Sequence, residues 1–231
     1  MIDKTTTAEN ALAKLKDGAT IMVGGFGVPG TPFHLIQTVL STGVRTLTLI
    51  KNEANEAGLG VSLLLEAERV ERLVTSHLGL NQVAIRMMNE KALKVDFFPQ
   101  GILADKIRAG GAGLLAIVTD IGINTFLRRE EDVVTVNGCE GMIEPALRAD
   151  FALIHAAKAD RAGNLVFEKS ARNFNPLMAT AADIVIVEAE QIVETGSIPP
   201  DQVHTPASFV DHVVPIGELS QEYGVLQHHV R

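Results

Sequence analysis

Gly24-Gly25-Phe26-Gly27-Val28-Pro29-Gly30-Thr31-Pro32 decides how this chain is read. An apolar run, residues 19–23, precedes it and reads as a buried strand. An apolar-periodic run, residues 33–40, follows it and reads as a helix. Thr31 suits the N-cap, and Pro32 suits the first turn, where a missing N–H costs nothing. The stretch is therefore a strand, a glycine loop and a helix N-terminus. Four glycines between Gly24 and Gly30 let a ligand approach main-chain N–H groups without meeting Cβ atoms. The helix N-terminus adds a partial positive charge facing the same space. Such a place favours an anion: a phosphate, a carboxylate or an oxyanion formed during reaction.

Gly25, Gly27 and Gly30 also match the dinucleotide pattern G-x-G-x-x-G. That pattern wants an acid at the end of the next strand to bind a ribose. The next strand, residues 46–50, ends at Lys51, and the nearest acid, Glu53, already lies in a loop. Pro29 and Pro32 also delay the helix beyond the last glycine. A plain structural turn is the other alternative on the loop alone.

Away from the loop, strand and helix patterns alternate. Residues 7–16, 59–67, 82–92, 102–109 and 176–182 carry helical spacing. Residues 46–50, 70–76, 95–98, 151–157 and 184–187 read as strands, the last of these closing the clear strand signals. Residues 51–58 are polar and read as a loop. This rhythm predicts an α/β fold: a mainly parallel sheet with helices on both faces. Gly110 to Gly113 interrupts it, and residues 114–131 fit no pattern. Asn137-Gly138 is the strongest short hairpin signal, so a small antiparallel insertion is expected over about 133–167. No linker or repeat divides the chain. It reads as a single domain, residues 1–231, with a mobile tail from about 220.

The balance of 20 basic and 28 acidic residues gives a net charge of −8, which disfavours nucleic acid and anionic membranes as partners. A hydrophobic fraction of 46% supports a sizeable core, and its paucity of aromatics is compatible with apolar surface covered by another chain. Buried parallel sheets alone give the same composition. One cysteine, Cys139, excludes an internal disulfide, fits a reducing compartment and has no neighbouring base. The polar N-terminus lacks a signal-peptide core, and no run approaches the ~18 apolar residues of a membrane span. A soluble, cytoplasmic protein is expected. The seven histidines show no metal-ligand spacing, so no metal is expected. His34 and His77 read as ordinary helix and loop residues. Glu188, Glu190 and Glu194 follow a strand and read as surface acids.

A longer pattern surrounds the glycines. Asp17-Gly18, Ile21-Met22-Val23-Gly24-Gly25-Phe26 and Gly30-x-Pro32 together resemble the signature of the α subunit of family I coenzyme A transferases. The resemblance continues in Pro99-Gln100-Gly101, Arg108-Ala109-Gly110-Gly111-Ala112-Gly113, Ala149-Asp150-Phe151-Ala152-Leu153, Gly163-Asn164-Leu165 and Ser170-Ala171-Arg172-Asn173-Phe174-Asn175-Pro176. It runs from about Asp17 to about Asp211. It implies the α/β fold that these transferases share with phosphosugar isomerases.

The resemblance also implies chemistry. Coenzyme A would be a substrate, with no separate cofactor. The nucleophilic glutamate of the family lies in a Ser-Glu-Asn-Gly motif on the β subunit, and that motif is absent here. The chain would be inactive alone and would join a β subunit as α2β2 or a multiple. The loop Gly24, Gly25, Phe26, Gly27, Val28, Pro29 and Gly30 would face the acyl-CoA. Asn52 would sit near the reacting centre and Gln100 near the bound thioester. Acetoacetyl-CoA is the implied acyl donor, as in ketone-body and short-chain fatty acid metabolism. Acetate, butyrate, succinate and 3-oxoadipate all stay open as the acid, with a leaning to acetate or butyrate.

Several residues keep two readings. Glu53 and Glu56 are candidate nucleophiles or solvated loop acids. Asn52 is otherwise a turn residue, and Gln100 otherwise bonds nearby backbone. Many relatives have Glu-Asn after the glycine at Gly79, where this chain has Leu80-Asn81. Arg172 and Asn173 lean towards a structural role. Two rival functions also fit an anion-ready loop: a non-catalytic sugar-phosphate or nucleotide sensor, and a phosphosugar isomerase of similar architecture.

Overall fold

The computed structural model describes residues 3–79 and 81–216; the tail expected from about 220 lies outside them. The elements are α1 (Ala8–Ala11), β1 (Thr20–Val23), α2 (Phe33–Thr42), β2 (Leu47–Ile50), α3 (Ser62–Glu66), β3 (Val70–Thr75), α4 (Gln82–Asn89), β4 (Lys94–Phe97) and α5 (Gln100–Gly111). They continue through β5 (Ala116–Thr119), β6 (Val133–Val136), β7 (Cys139–Pro145), β8 (Ala149–Asp160), β9 (Leu165–Val166), α6 (Asn175–Thr180), β10 (Ala182–Val193) and β11 (His212–Pro215).

The main sheet runs β11-β10-β8-β1-β2-β3-β4, with β9 paired to β8. Every pair is parallel except β8 with β9. From β1 the chain winds outward through β2, β3 and β4. It then returns to the other side of β1 to lay down β8. The strand order therefore reverses between β8 and β1, where Gly24 N–H donates to Leu153 O. In open parallel sheets the crevice at such a reversal, beyond the carboxyl ends of the strands, is where ligands bind.

Burial on both faces explains the continuous apolar strands. Ile21, Val23, Leu49 and Leu73 point into a core shared with Leu35, Ile36 and Val39 of α2 and Leu64 and Leu65 of α3. Met22, Ile50 and Val74 point the other way, into a core shared with Leu103 and Ile107 of α5 and Met178 of α6. Each such side chain contributes roughly 1.5–3 kcal/mol on burial. The glycines of α5 set its depth. A Cβ at Gly110 would lie 1.9 Å from Leu147 O, and one at Gly111 would lie 2.0 Å from Thr180 Oγ1. Gly110 and Gly111 therefore continue the helix and permit close packing; they do not interrupt it.

The expected insertion is present with different limits. A separate antiparallel sheet, β5-β7-β6, spans residues 116–145 and not 133–167. Asn137 and Gly138 make its hairpin turn, with φ of 52° and 79°, the positive pair a type I′ turn requires. β5 comes from the stretch that fitted no pattern, because its pairing partner, β7, lies 20 or more residues ahead. β8 belongs to the main sheet, as its almost continuous burial demands. β11 was missed, and the 184–187 strand extends over twelve residues as β10. The first helix is only one turn long.

Candidate functional site

The glycine loop emerges from β1 at the reversal point and is gripped from beneath. Lys51, the residue after β2, is 0% exposed. Its Nζ donates to Gly24 O at 3.1 Å and to Thr31 Oγ1 at 3.2 Å, and it pairs with Glu53 Oε1 at 2.9 Å. Burial pushes the Lys51 pKa down, against the opposing pull of Glu53. Thr31 is not the N-cap. Pro32 takes that position, and the Thr31 hydroxyl donates to Gly27 O at 2.8 Å. Asn55 Nδ2 donates to the same carbonyl at 2.8 Å.

A second set of braces holds the far side of the loop. Asn173 Nδ2 donates to Pro29 O at 2.9 Å, and Asn175 Nδ2 donates to Gly30 O at 3.0 Å. Asn175 Oδ1 accepts from His155 N–H at 3.1 Å, tying the loop to β8. Asn173 thus braces the loop within this chain. Among the described residues, no hydrogen bond places Arg172 at the loop.

These braces have a geometric consequence. In a trans peptide C=O and N–H point in opposite directions. With Gly24 O and Gly27 O turned inward, the N–H groups of Gly25 and Val28 turn outward. Phe26 and Thr31 use their N–H groups within the loop, on Pro29 O and Val28 O. Gly25, Gly27, Val28 and Gly30 donate to no protein acceptor among the described residues. The loop therefore presents bare amides on a rigid frame, with half-exposed Phe26 at its rim.

Residues 51–55, expected to be a polar loop, are buried. Glu53 is 6% exposed, and both its oxygens are engaged: Oε1 with Lys51 and Asn55, Oε2 with Asn52 Nδ2 at 2.8 Å. It is neither a solvated acid nor a free nucleophile. Asn52 is itself 0% exposed. Its Oδ1 accepts from Ser76 Oγ at 2.9 Å and from Gln100 Nε2 at 2.9 Å. Asn52 and Gln100 are therefore brought together, but only Gln100 reaches the surface. One chain of contacts runs from Gly24 through Lys51, Glu53 and Asn52 to Gln100, across the carboxyl ends of β1, β2, β3 and β4. Asn81 is buried as the N-cap of α4, accepting from Ala84 N–H at 2.9 Å.

Beside the loop lies a hollow of about 190 Å³, walled by Gly27, Val28, Leu59 and Leu78 and edged by Glu56 and His77. A larger hollow of about 580 Å³ lies at the opposite, amino ends of the strands, beside Arg45, Glu68 and Val70. The reversal-point rule favours the smaller one, at the carboxyl ends of the strands.

Glu188 is not a surface acid. It is 0% exposed; its Oε2 accepts from Leu35 N–H at 2.9 Å, and its Oε1 meets His155 Nδ1 at 2.9 Å. Glu190 meets His155 Nε2 at 3.1 Å. Burial opposes charge on His155, but the two carboxylates outweigh it and raise its pKa to about 9. This cluster anchors the first turn of α2 from the β10 side. Its signal in the sequence was faint: acids inside an apolar strand pattern, with no spacing to name their partner. Cys139 is exposed in β7. No group of three or more His, Cys, Asp or Glu among the described residues is placed to hold a metal ion. No helix among them is long and apolar enough to cross a membrane.

Comparison with known proteins adds independent findings. The family model described as coenzyme A transferase matches residues 5–215. A probable coenzyme A transferase subunit alpha of Bacillus subtilis is 48% identical over 212 residues, covering 91% of this chain and 93% of that protein. The acetate CoA-transferase subunit alpha of Escherichia coli K12 is 42% identical over 222 residues, covering 96% and 99%. Among solved structures, an acyl-CoA transferase of Escherichia coli O157:H7, captured as a thioester complex with CoA, superposes with a TM-score of 0.86 at 24% identity. The overlap covers 96% of this chain and 49% of that one, so this chain spans about half its length. The sheet reversal and the glycine loop at its mouth thus agree with the comparisons: the chain belongs to the coenzyme A transferase family, among relatives named as α subunits.

Proposed function

We propose that this chain is the α subunit of a heteromeric transferase that moves coenzyme A between a short-chain acyl- or 3-oxoacyl-CoA and a free carboxylic acid. The observation that carries the reading is the braced loop with outward amides at Gly25 and Val28. Acyl transfer from a thioester passes through tetrahedral states that put negative charge on the former carbonyl oxygen. Preorganised N–H donors stabilise that charge, and losing one typically costs about 3 kcal/mol.

The attacking carboxylate comes from a β subunit. Glu53 is locked in an ion pair and Glu188 is sealed in the core, so neither buried acid of the site is free to attack. The β-subunit glutamate attacks the thioester carbonyl and expels CoA thiolate, leaving a mixed anhydride. The thiolate then attacks the glutamyl carbonyl, releasing the first acid and leaving an enzyme–CoA thioester. The second acid reverses both steps. Gln100, held by Asn52, faces the thioester. The 190 Å³ hollow takes the acyl chain, which favours acetate, butyrate and acetoacetate over bulkier acids.

Exposed apolar side chains support a covered surface. Leu115 and Phe126 are 93% and 95% exposed, with Val118 and Ile121 between them. The sensor and isomerase alternatives have no such support, and family membership favours transfer chemistry over both. The deciding experiment is to co-express the chain with its β partner and follow CoA exchange between acetoacetyl-CoA and acetate. Ping-pong kinetics, with no activity from this chain alone, is the expected result. Sequential kinetics, or full activity without the partner, rejects the proposal.

A further inference from the structure

We infer that Lys51 is a positioning residue: its buried ammonium sets the orientation of the glycine loop so that the Gly25 and Val28 amides face the reacting oxygen. This deepens the proposed function and rests on it for the identity of the reaction. No part of the signature that points to the family includes Lys51, and neither the composition nor the hydrophobic pattern asks for a lysine there.

An ammonium has three N–H donors. Lys51 has three acceptors within reach: Gly24 O at 3.1 Å, Thr31 Oγ1 at 3.2 Å and Glu53 Oε1 at 2.9 Å. The side chain is fully buried, so no water competes for these bonds. The first bond fixes the peptide that carries the Gly25 N–H. The second fixes the Thr31 hydroxyl, which in turn donates to Gly27 O and fixes the peptide that carries the Val28 N–H. Lys51 thereby orients the first peptide directly and the second together with Asn55, which also donates to Gly27 O. A hydrocarbon side chain would fill the same space, strip Gly24 O of this donor and leave Gly27 O to Thr31 and Asn55 alone. The third bond links the brace to Glu53, and through Asn52 to Gln100, so both walls of the site share one anchor.

Lysine deep in a core is costly unless paired, and a buried pair broken on one side leaves an uncompensated charge. A loss of activity in Lys51→Met alone would therefore be ambiguous. The double variant Lys51→Met/Glu53→Gln removes both charges and restores a neutral interior. In the assembled α–β complex, Lys51→Met is expected to lower kcat about 100-fold, as for a lost oxyanion donor, with KM for the acyl-CoA within threefold. The double variant is expected to recover the melting temperature but not kcat. A double variant that recovers both, or a Lys51→Met complex within twofold of wild-type kcat, overturns the inference. Amide resonances separate it from the functional reading. In the isolated chain, the Gly25 and Val28 N–H signals of the double variant are expected to move, while those of the small antiparallel sheet, β5-β7-β6, stay. Unmoved signals overturn the brace whatever the complex catalyses. A wild-type complex that transfers no CoA rejects the functional reading and leaves the brace to be judged on these signals.

Discussion

Alanine at Gly25 and alanine at Gly27 should act on different kinetic constants, although they sit two residues apart in one loop. Gly25 has φ of +101°, and a Cβ there would lie 2.1 Å from Thr31 Oγ1 and 2.7 Å from both Thr31 N and Thr31 Cα. Two of those atoms are backbone, so a rotamer change cannot relieve the overlap. The loop must move, and the Gly25 amide moves with it. Gly27 has φ of +61°, and a Cβ there meets nothing within 4 Å. Its cost is the left-handed conformation alone, about 1–2 kcal/mol. Displacing one amide donor should remove about 3 kcal/mol of transition-state stabilisation, or 100- to 1,000-fold in kcat. The assay is CoA exchange by the assembled complex, with melting temperature and native mass measured on the same samples. Gly25→Ala should assemble and turn over at least 100-fold more slowly. Gly27→Ala should melt slightly lower, keep most of its kcat and raise KM several-fold, since its methyl enters the hollow beside the loop. A correctly assembled Gly25→Ala complex with wild-type kcat would refute the amide-cradle reasoning.

Other expectations follow from the same geometry. His155 shifts from an ordinary 6.5 to about 9 on folding, which corresponds to roughly 3 kcal/mol. Because the folded-state value is the higher, this stability is fully present below pH 6.5 and fades as pH rises through 9. Thermal melts from pH 6 to 10 should show that loss, and His155→Asn should flatten it; an unchanged slope in the variant contradicts the assignment. Lys106 pairs with Glu144 at 2.7 Å in a buried bridge between α5 and the small sheet. Glu144 keeps Arg129 at 2.8 Å when Lys106 is removed, so Lys106→Met should cost about 1–3 kcal/mol in urea unfolding, and no measurable cost would count against that role. Leu59→Phe should shrink the hollow and lower kcat/KM for butyrate more than for acetate; equal losses would place the acyl chain elsewhere.

The architecture was readable wherever local pattern and burial agree. β1 with the glycine loop and α2 follows directly from apolar periodicity broken by Gly and Pro, and β2, β3 and β4 repeat the same rhythm. β5 was unreadable because it is held by pairing with β7, a non-local contact that no short window reports. β11 is a four-residue edge strand, fixed by β10 and not by its own pattern. At the site, the loop was legible and Asn52 and Gln100 were singled out by resemblance, but nothing in the sequence pairs them; their contact is known from the fold alone. The burial of Lys51, Glu53 and Glu188 was not legible either. Sequence marks a charged residue as a surface candidate, and only the fold reveals the partner that makes its burial affordable. Thr31 illustrates the same limit. Its type suits a cap, yet the nearby Lys51 ammonium and Gly27 carbonyl claim its hydroxyl.

The two-sided bracing of the loop has a bearing on how the enzyme is put together. Lys51, Thr31, Asn55, Asn173 and Asn175 all belong to the same polypeptide as the loop they hold. The anion cradle is accordingly finished when this chain folds, before any companion arrives. If a companion subunit supplies the reactive group, as proposed, it would meet a mould already set. Hybrid enzymes that pair this chain with companions of matching contact surface should then keep the same cradle, and a hybrid that assembles but loses it would contradict this.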